Sequence, residues 1–150
     1  MKRCAILLAG MLVAGLAHAH ADAGTQVTAS HAWIRVLPGN LPAGAYVVLH
    51  NDGAKPLALT GADTAAYGEA MLHESSSTGG VSRMRTIDAL PIPAHGTRTL
   101  APGGYHLMLM DAKHPVHPGA KIRITLKFDD GSTLPVDFLA RPASALSDKD

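Results

Sequence analysis

The sequence predicts an all-β domain built as a Greek-key sandwich or barrel. Apolar and polar residues alternate with period two in stretch after stretch, while the periodicity of an amphipathic helix is hard to find. Clusters of Gly, Pro, Asn and Asp interrupt those stretches at regular spacing, the pattern of short strands joined by turns.

Taken in order, strands are expected at 31–36, 44–51, 57–63, 67–75, 82–87, 98–101 and 105–111. Leu37-Pro38-Gly39-Asn40, Asp52-Gly53, Gly79-Gly80 and Pro102-Gly103-Gly104 supply turn chemistry between them. The clearest alternation comes last. Ile122, Ile124, Leu126 and Phe128 share one face, and Lys121, Arg123, Thr125 and Lys127 share the other. Asp129-Asp130-Gly131-Ser132 then reverses the chain, and Leu134, Val136 and Phe138 resume the pattern as the second half of a hairpin. Residues 141–150 are expected to form a flexible tail.

The chain opens on an address. Lys2 and Arg3 make a basic segment, Cys4 to Leu16 is apolar, and Ala17-His18-Ala19 and Ala19-His20-Ala21 both offer small-x-small cleavage sites. Residues 1–21 thus read as a signal peptide with cleavage after Ala19 or Ala21, leaving one domain over 22–140 before the tail. The mature part has no cysteine, which excludes a disulfide framework, a thiolate metal site and a blue-copper electron carrier. Without Lys2 and Arg3 the charge is 11 basic against 12 acidic side chains, and no basic patch or heptad points to nucleic acid or a coiled coil. A monomer without membrane attachment after cleavage is expected.

One spacing carries chemistry: His73, ten residues, Met84, twenty-one residues, His106-Leu107-Met108. Imidazole and thioether are neutral ligands, and polarizable sulfur suits soft monovalent copper, whereas Zn(II) and Cu(II) prefer nitrogen, oxygen or thiolate. A hairpin over 71–87 turning at Thr78-Gly79 sets His73 directly opposite Met84. His106 and Met108, two apart on a strand, share a face with about 7 Å between their backbones. An uncharged ligand set leaves the ion its positive charge and releases it to a partner offering thiolates, as a carrier must.

The same residues carry a family resemblance. His-x10-Met-x21-His-x-Met is the signature of the PCuAC copper chaperones, and this sequence fits it without a gap. The segments Pro102 to Met110 and Leu126 to Ser132 resemble that family too, as do Ala32-Trp33-Ile34-Arg35 and Gly44-Ala45-Tyr46 more loosely. The resemblance implies a cupredoxin-like β-barrel in the periplasm that binds one Cu(I) per chain. By position His73, Met84, His106 and Met108 would be the ligands, with no catalytic residue. It also implies delivery toward the dinuclear centre of cytochrome c oxidase, the acceptor being the oxidase copper subunit or a Sco-type protein. The tail lacks the His and Met that some relatives use for additional Cu(II).

Other readings make different demands. A storage or resistance protein would use the same ligands, and an adhesion module would leave them as packing. Cleavage after Ala19 would make His20 the N-terminal residue, as in copper monooxygenases, but only with a second histidine nearby. Met71 and Met110 share the face of a ligand and are read as core or rim packing. The His114/His117 pair in a proline-flanked loop is read as solvated, His31, His50 and His95 as structural or solvent-facing, and Trp33 as core. Proton competition for imidazole is expected to weaken Cu(I) retention below about pH 6.

Overall fold

A computed structural model describes residues 26–149. The leader at 1–21, with His20, lies outside the described residues. Among the described residues ten strands form: β1 (Val27–Arg35), β2 (Ala43–Asn51), β3 (Leu57–Thr64), β4 (Tyr67–Thr78), β5 (Val81–Thr86), β6 (Leu90–Ile92), β7 (Gly96–Leu100), β8 (Tyr105–Ala112), β9 (Lys121–Phe128) and β10 (Thr133–Arg141). The short β6 was not expected from sequence, because three residues around Pro91 are too few to show a period.

The strands join one mixed sheet in the order β5-β4-β8-β2-β1-β10-β9-β3-β6, with β7 also paired to β2. Only β1 and β10 run parallel; every other pairing is antiparallel. β2 shares one edge between two partners, Ala43–Ala45 with β8 and Val47–Asn51 with β7. The sheet curls until β6 comes beside β7 and β2, and the enclosed face is apolar apart from the buried Asn51 at the end of β2. Phe138, Ile34, Leu49, Leu107, Leu109, Ile124 and Leu126 are fully buried there. At roughly 1.5–3 kcal/mol for each such side chain, this layer supplies the main stabilisation of the domain.

Two local findings differ from the sequence reading. Trp33 is buried, but outside the main core. It alternates with Ile34, so it faces the outer side of the sheet, where it stacks on Tyr46 with centroids 4.6 Å apart. Residues 141–149 cover that outer cluster: Ala145 is 1% exposed against Trp33 and Tyr46, and Arg35 Nε donates to its carbonyl at 3.0 Å. His31 pairs with Asp148 at 2.7 Å, and Arg141 donates to the Asp148 carbonyl. The described part of the tail is thus docked, by long-range contacts that its own composition does not reveal.

The β4–β5 hairpin turns at Gly79-Gly80, both at positive φ (60° and 78°), and pairs Thr78 with Val81. A two-residue turn with both φ values positive strongly favours glycine or asparagine, which moves the turn one residue beyond Thr78-Gly79. A Cβ at either glycine meets nothing within 4 Å, so any cost of substitution lies in the backbone alone. Gly79→Asn is therefore expected to be neutral. Gly80→Val is expected to cost about 1–2 kcal/mol of local stability. Hydrogen exchange of the β5 amides checks both: faster exchange in Gly80→Val only is the expected result, and equal exchange in the two variants would refute the turn assignment.

Candidate metal centre

The site begins with two leucines. Leu72 of β4 and Leu107 of β8 lie directly opposite each other and are 3% and 0% exposed on the core side. Alternation then forces their neighbours outward, so that His73 stands opposite His106 and Met71 opposite Met108 on one outer face. A slip of either strand by one residue would turn that strand's leucine outward and bury its His and Met, so core burial holds this register.

Met84 reaches the same face from β5, in a register that differs from expectation. It lies opposite Ser75, and Thr86 takes the place opposite His73. The turn at Gly79-Gly80 shifts the pairing by two residues, which preserves the face and makes Met84 a diagonal neighbour of His73. Such neighbours stand about 7–8 Å apart, within reach of a long thioether chain. Met84, His106 and Met108 line a concavity of about 240 Å³, together with Ser75 and Gly103 on one side and Arg35, Gly44 and Tyr46 on the other. His73 is not on that lining. It meets the site through His106, their rings 5.7 Å apart and nearly perpendicular at 78°.

Hydrogen bonds leave each imidazole one free lone pair. His106 Nδ1 is 3.1 Å from the Gly104 carbonyl, an acceptor only, so Nδ1–H donates and Nε2 keeps its lone pair. His73 Nε2 is 3.1 Å from Thr86 Oγ1, while its Nδ1 is buried without a partner in the chain. A buried N–H without an acceptor is the costlier orphan, which assigns the proton to Nε2 and the lone pair to Nδ1. Burial, and secondarily the neighbouring His106, hold the His73 pKa below its ordinary value, so this imidazole is neutral at pH 7.

The candidate donors are thus two imidazoles and two or three thioethers, with no anionic ligand among them. Among the described residues no group of three or more His, Cys, Asp or Glu is placed to hold an ion. The neighbouring carboxylate, Glu74, is taken up by an ion pair with Arg85. This set fits a soft, monovalent ion and offers little to Zn(II) or Ca(II).

Other residues singled out from the sequence fall elsewhere. Met71 is beside Met108, a third thioether on the site face, whereas Met110 lies opposite Glu69 farther along. His50 is committed to Thr97 at 3.0 Å and Asp52 at 3.1 Å, and His31 to Asp148. His117 lines a separate groove formed with 36–40 and 142–143. The sequence reading assigned Thr86, Gly104, Tyr46 and Arg35 no role at the site. Only knowledge of which strands pair brings them to the ligands.

The chain has known relatives. Residues 27–140 match the family described as "Putative lipoprotein LpqE-like". "Putative lipoprotein Lxx21020" of Leifsonia xyli subsp. xyli (strain CTCB07) is 40% identical over 114 residues, 75% of this chain and 67% of that protein. The solution structure of CuI-DR1885 from Deinococcus radiodurans matches with a TM-score of 0.61 and 35% identity, covering 87% of this chain and 85% of that one. The copper-bound PCuAC domain from PmoF2 matches with a TM-score of 0.65 over 80% of this chain and 96% of that domain; at 24% identity it is a likeness of fold. The all-β mixed sheet is therefore of the PCuAC, cupredoxin-like type.

The lowered His73 pKa has a measurable sign. The folded state resists protonating this ring, so its contribution to stability is full above the ordinary imidazole pKa of about 6.5 and is lost as pH falls through the lower folded value. An NMR titration of the metal-free protein should show His73 titrating below pH 6.5, with an upward move in His106→Ala. A value at or above 6.5 in the parent would contradict the buried placement of Nδ1.

Proposed function

The chain belongs to the LpqE-like family of PCuAC copper chaperones, and we propose that it carries one Cu(I) on His73, Met84, His106 and Met108. The cargo's destination in this reading is the dinuclear copper centre of cytochrome c oxidase, through its copper subunit or a Sco-type protein. One observation supports the ligand assignment above all. The His73–His106 pair is fixed by the strand register, and Thr86 and Gly104 occupy one nitrogen of each ring and leave the other for a metal.

The chemistry follows from the donors. Four neutral ligands satisfy a d¹⁰ ion without compensating its charge, so binding is selective for softness and comparatively easy to reverse. An acceptor with thiolates gains the electrostatic term that this site lacks. His106 sits at 6% exposure while Met84 is 54% exposed on an edge strand, so the site has a buried anchor and an accessible arm. The Cu(I) form of DR1885 is among the structural relatives with which this arrangement agrees.

The working place is the periplasm. A leader with two cleavage sites and relatives named as lipoproteins both support export. The one cysteine, Cys4, stands at the start of the apolar stretch instead of after it, and this favours a soluble exported form over lipid attachment.

Anaerobic Cu(I) competition against a chromophoric chelator tests the reading. The parent should hold one ion, and Ala at His73, Met84, His106 or Met108 should each weaken it by more than the 10–100-fold typical of losing a supporting contact around a metal. Retention should also fall below about pH 6 as protons compete for imidazole. Equal binding by parent and variants would end the assignment. Copper that stays on the loaded protein when a dithiol acceptor is added would replace delivery by storage.

A further inference from the structure

The wall of the concavity opposite Met84 holds a cation that the donor set does not use. Arg35 ends β1; Gly44 of β2 stands opposite it, and Met108 of β8 stands opposite Gly44 on the far edge. Guanidinium and thioether therefore share one face, two strand spacings or about 10 Å apart along the sheet. Gly44 contributes no side chain to the gap, and Tyr46 fills it. A Cβ on Gly44 would lie 2.6 Å from the phenol oxygen. Arg35, Tyr46, Met84, His106 and Met108 all line the same hollow.

Arg35 is held firmly and left charged. Its guanidinium carbon lies 5.5 Å from the Trp33 ring centre and 5.6 Å from that of Tyr46. Nε is spent on the Ala145 carbonyl, and one terminal nitrogen is buried with no acceptor in the chain. None of the ion pairs among the described residues includes it. A fixed positive charge beside an uncharged ligand set repels a bound cation, so its presence works against simple retention of the ion.

We propose that Arg35, with Tyr46 beside it, is an anion subsite of the copper centre that receives the thiolate of an incoming acceptor. The inference rests on the chaperone reading and assigns the entry side of the exchange. The thiolate, held by charge-assisted hydrogen bonds, forms a new Cu–S bond as the Cu–S bond to Met84 breaks. Met84 leaves as a neutral thioether, copper stays Cu(I) throughout, and an acceptor arriving as a thiol loses its proton to solvent. Met84 is the leaving ligand because it alone sits on the exposed edge strand, on the rim opposite Arg35; the other three donors are on the internal strands β4 and β8. The entering charge offsets one of the two positive charges, those of the ion and the guanidinium, and so favours the exchange toward the acceptor.

Arg35→Met removes the charge at similar length, and Arg35→Lys keeps it. Copper transfer from the loaded full chain would be followed to a Cys-x-x-Cys peptide, to a small monothiol and to a methionine-rich neutral peptide. Arg35→Met should lower the ratio of thiolate to neutral-acceptor rates about 10-fold, the worth of one charge-assisted hydrogen bond. Arg35→Lys should recover most of that ratio. Similar deficits with peptide and monothiol would place recognition on the sulfur anion itself, and a deficit with the peptide alone on a protein donor. An unchanged ratio, with both rates slowed alike, would make Arg35 a structural part of the wall and overturn the proposal. A second readout needs no copper. Thiosulfate added to the metal-free protein should change the fluorescence of Trp33 in the parent and in Arg35→Lys but not in Arg35→Met, and a flat response in the parent would also overturn it. A parent chain that binds no Cu(I) would instead sink the chaperone reading, with the subsite then decided by the thiosulfate result.

Discussion

The pairing of Leu72 with Leu107 is the contact on which the site depends. Both side chains are buried on the core face of β4 and β8, and their burial selects one register out of those the two strands might otherwise adopt. Each contributes roughly 1.5–3 kcal/mol on burial, so a slip of either strand by one residue loses at least that much before any metal chemistry is counted. The histidine pair and the Met71–Met108 pair are positioned as a by-product. Affinity for the ion is therefore not required to assemble the donors, and the metal-free fold already holds three of the four proposed ligands in place.

The fourth behaves differently for a physical reason. β5 is exposed along its whole length and has one neighbour, so Met84 hangs on the least supported strand of the sheet. Strands of that kind open at lower free energy than internal ones. A carrier benefits from the contrast. In the proposed function, imidazoles held by Gly104 and Thr86 would keep the ion oriented, while a neutral thioether on a loosely held edge would exchange without breaking the core.

Behind the donors, the outer face of β1 and β2 forms a second small cluster that the main core does not supply. Trp33, Tyr46 and Ala145 bury one another, and the Arg35 guanidinium is laid over the two rings. Tyr46 also approaches His106, with ring centres 6.4 Å apart. The chain after β10 thus props the wall of the metal site from a distance of more than a hundred residues in sequence, through Arg35 and Ala145. A short, polar, proline-containing end is used as packing material.

How much of this was legible in the sequence differs by element. Alternation from Ile122 to Phe138 reads directly as a hairpin because one face is buried and the other solvated, and the structure pairs these strands as β9 and β10. The spacing from His73 to Met108 reads as a soft donor set because residue types alone decide hardness and charge. Several features were not legible. The three-residue β6 has too few positions for a period, and Trp33 belongs to a cluster whose third member, Ala145, looks like tail. The turn at Gly79-Gly80 could be named but not centred, so Met84 was placed opposite His73 when it lies opposite Ser75.

What the sequence by itself determined is therefore local: strand propensity, turn chemistry, the absence of cysteine after Cys4, and the neutral character of the four candidate donors. These depend on a residue and its near neighbours. Only the tertiary structure decided that His73 meets His106 across β4 and β8, that Thr86 and Gly104 set which nitrogens are free, and that Arg35 and Tyr46 close the opposite wall. Those facts arise from register and strand order, which are chosen by burial of the whole core at once and so are written in no single segment of the chain.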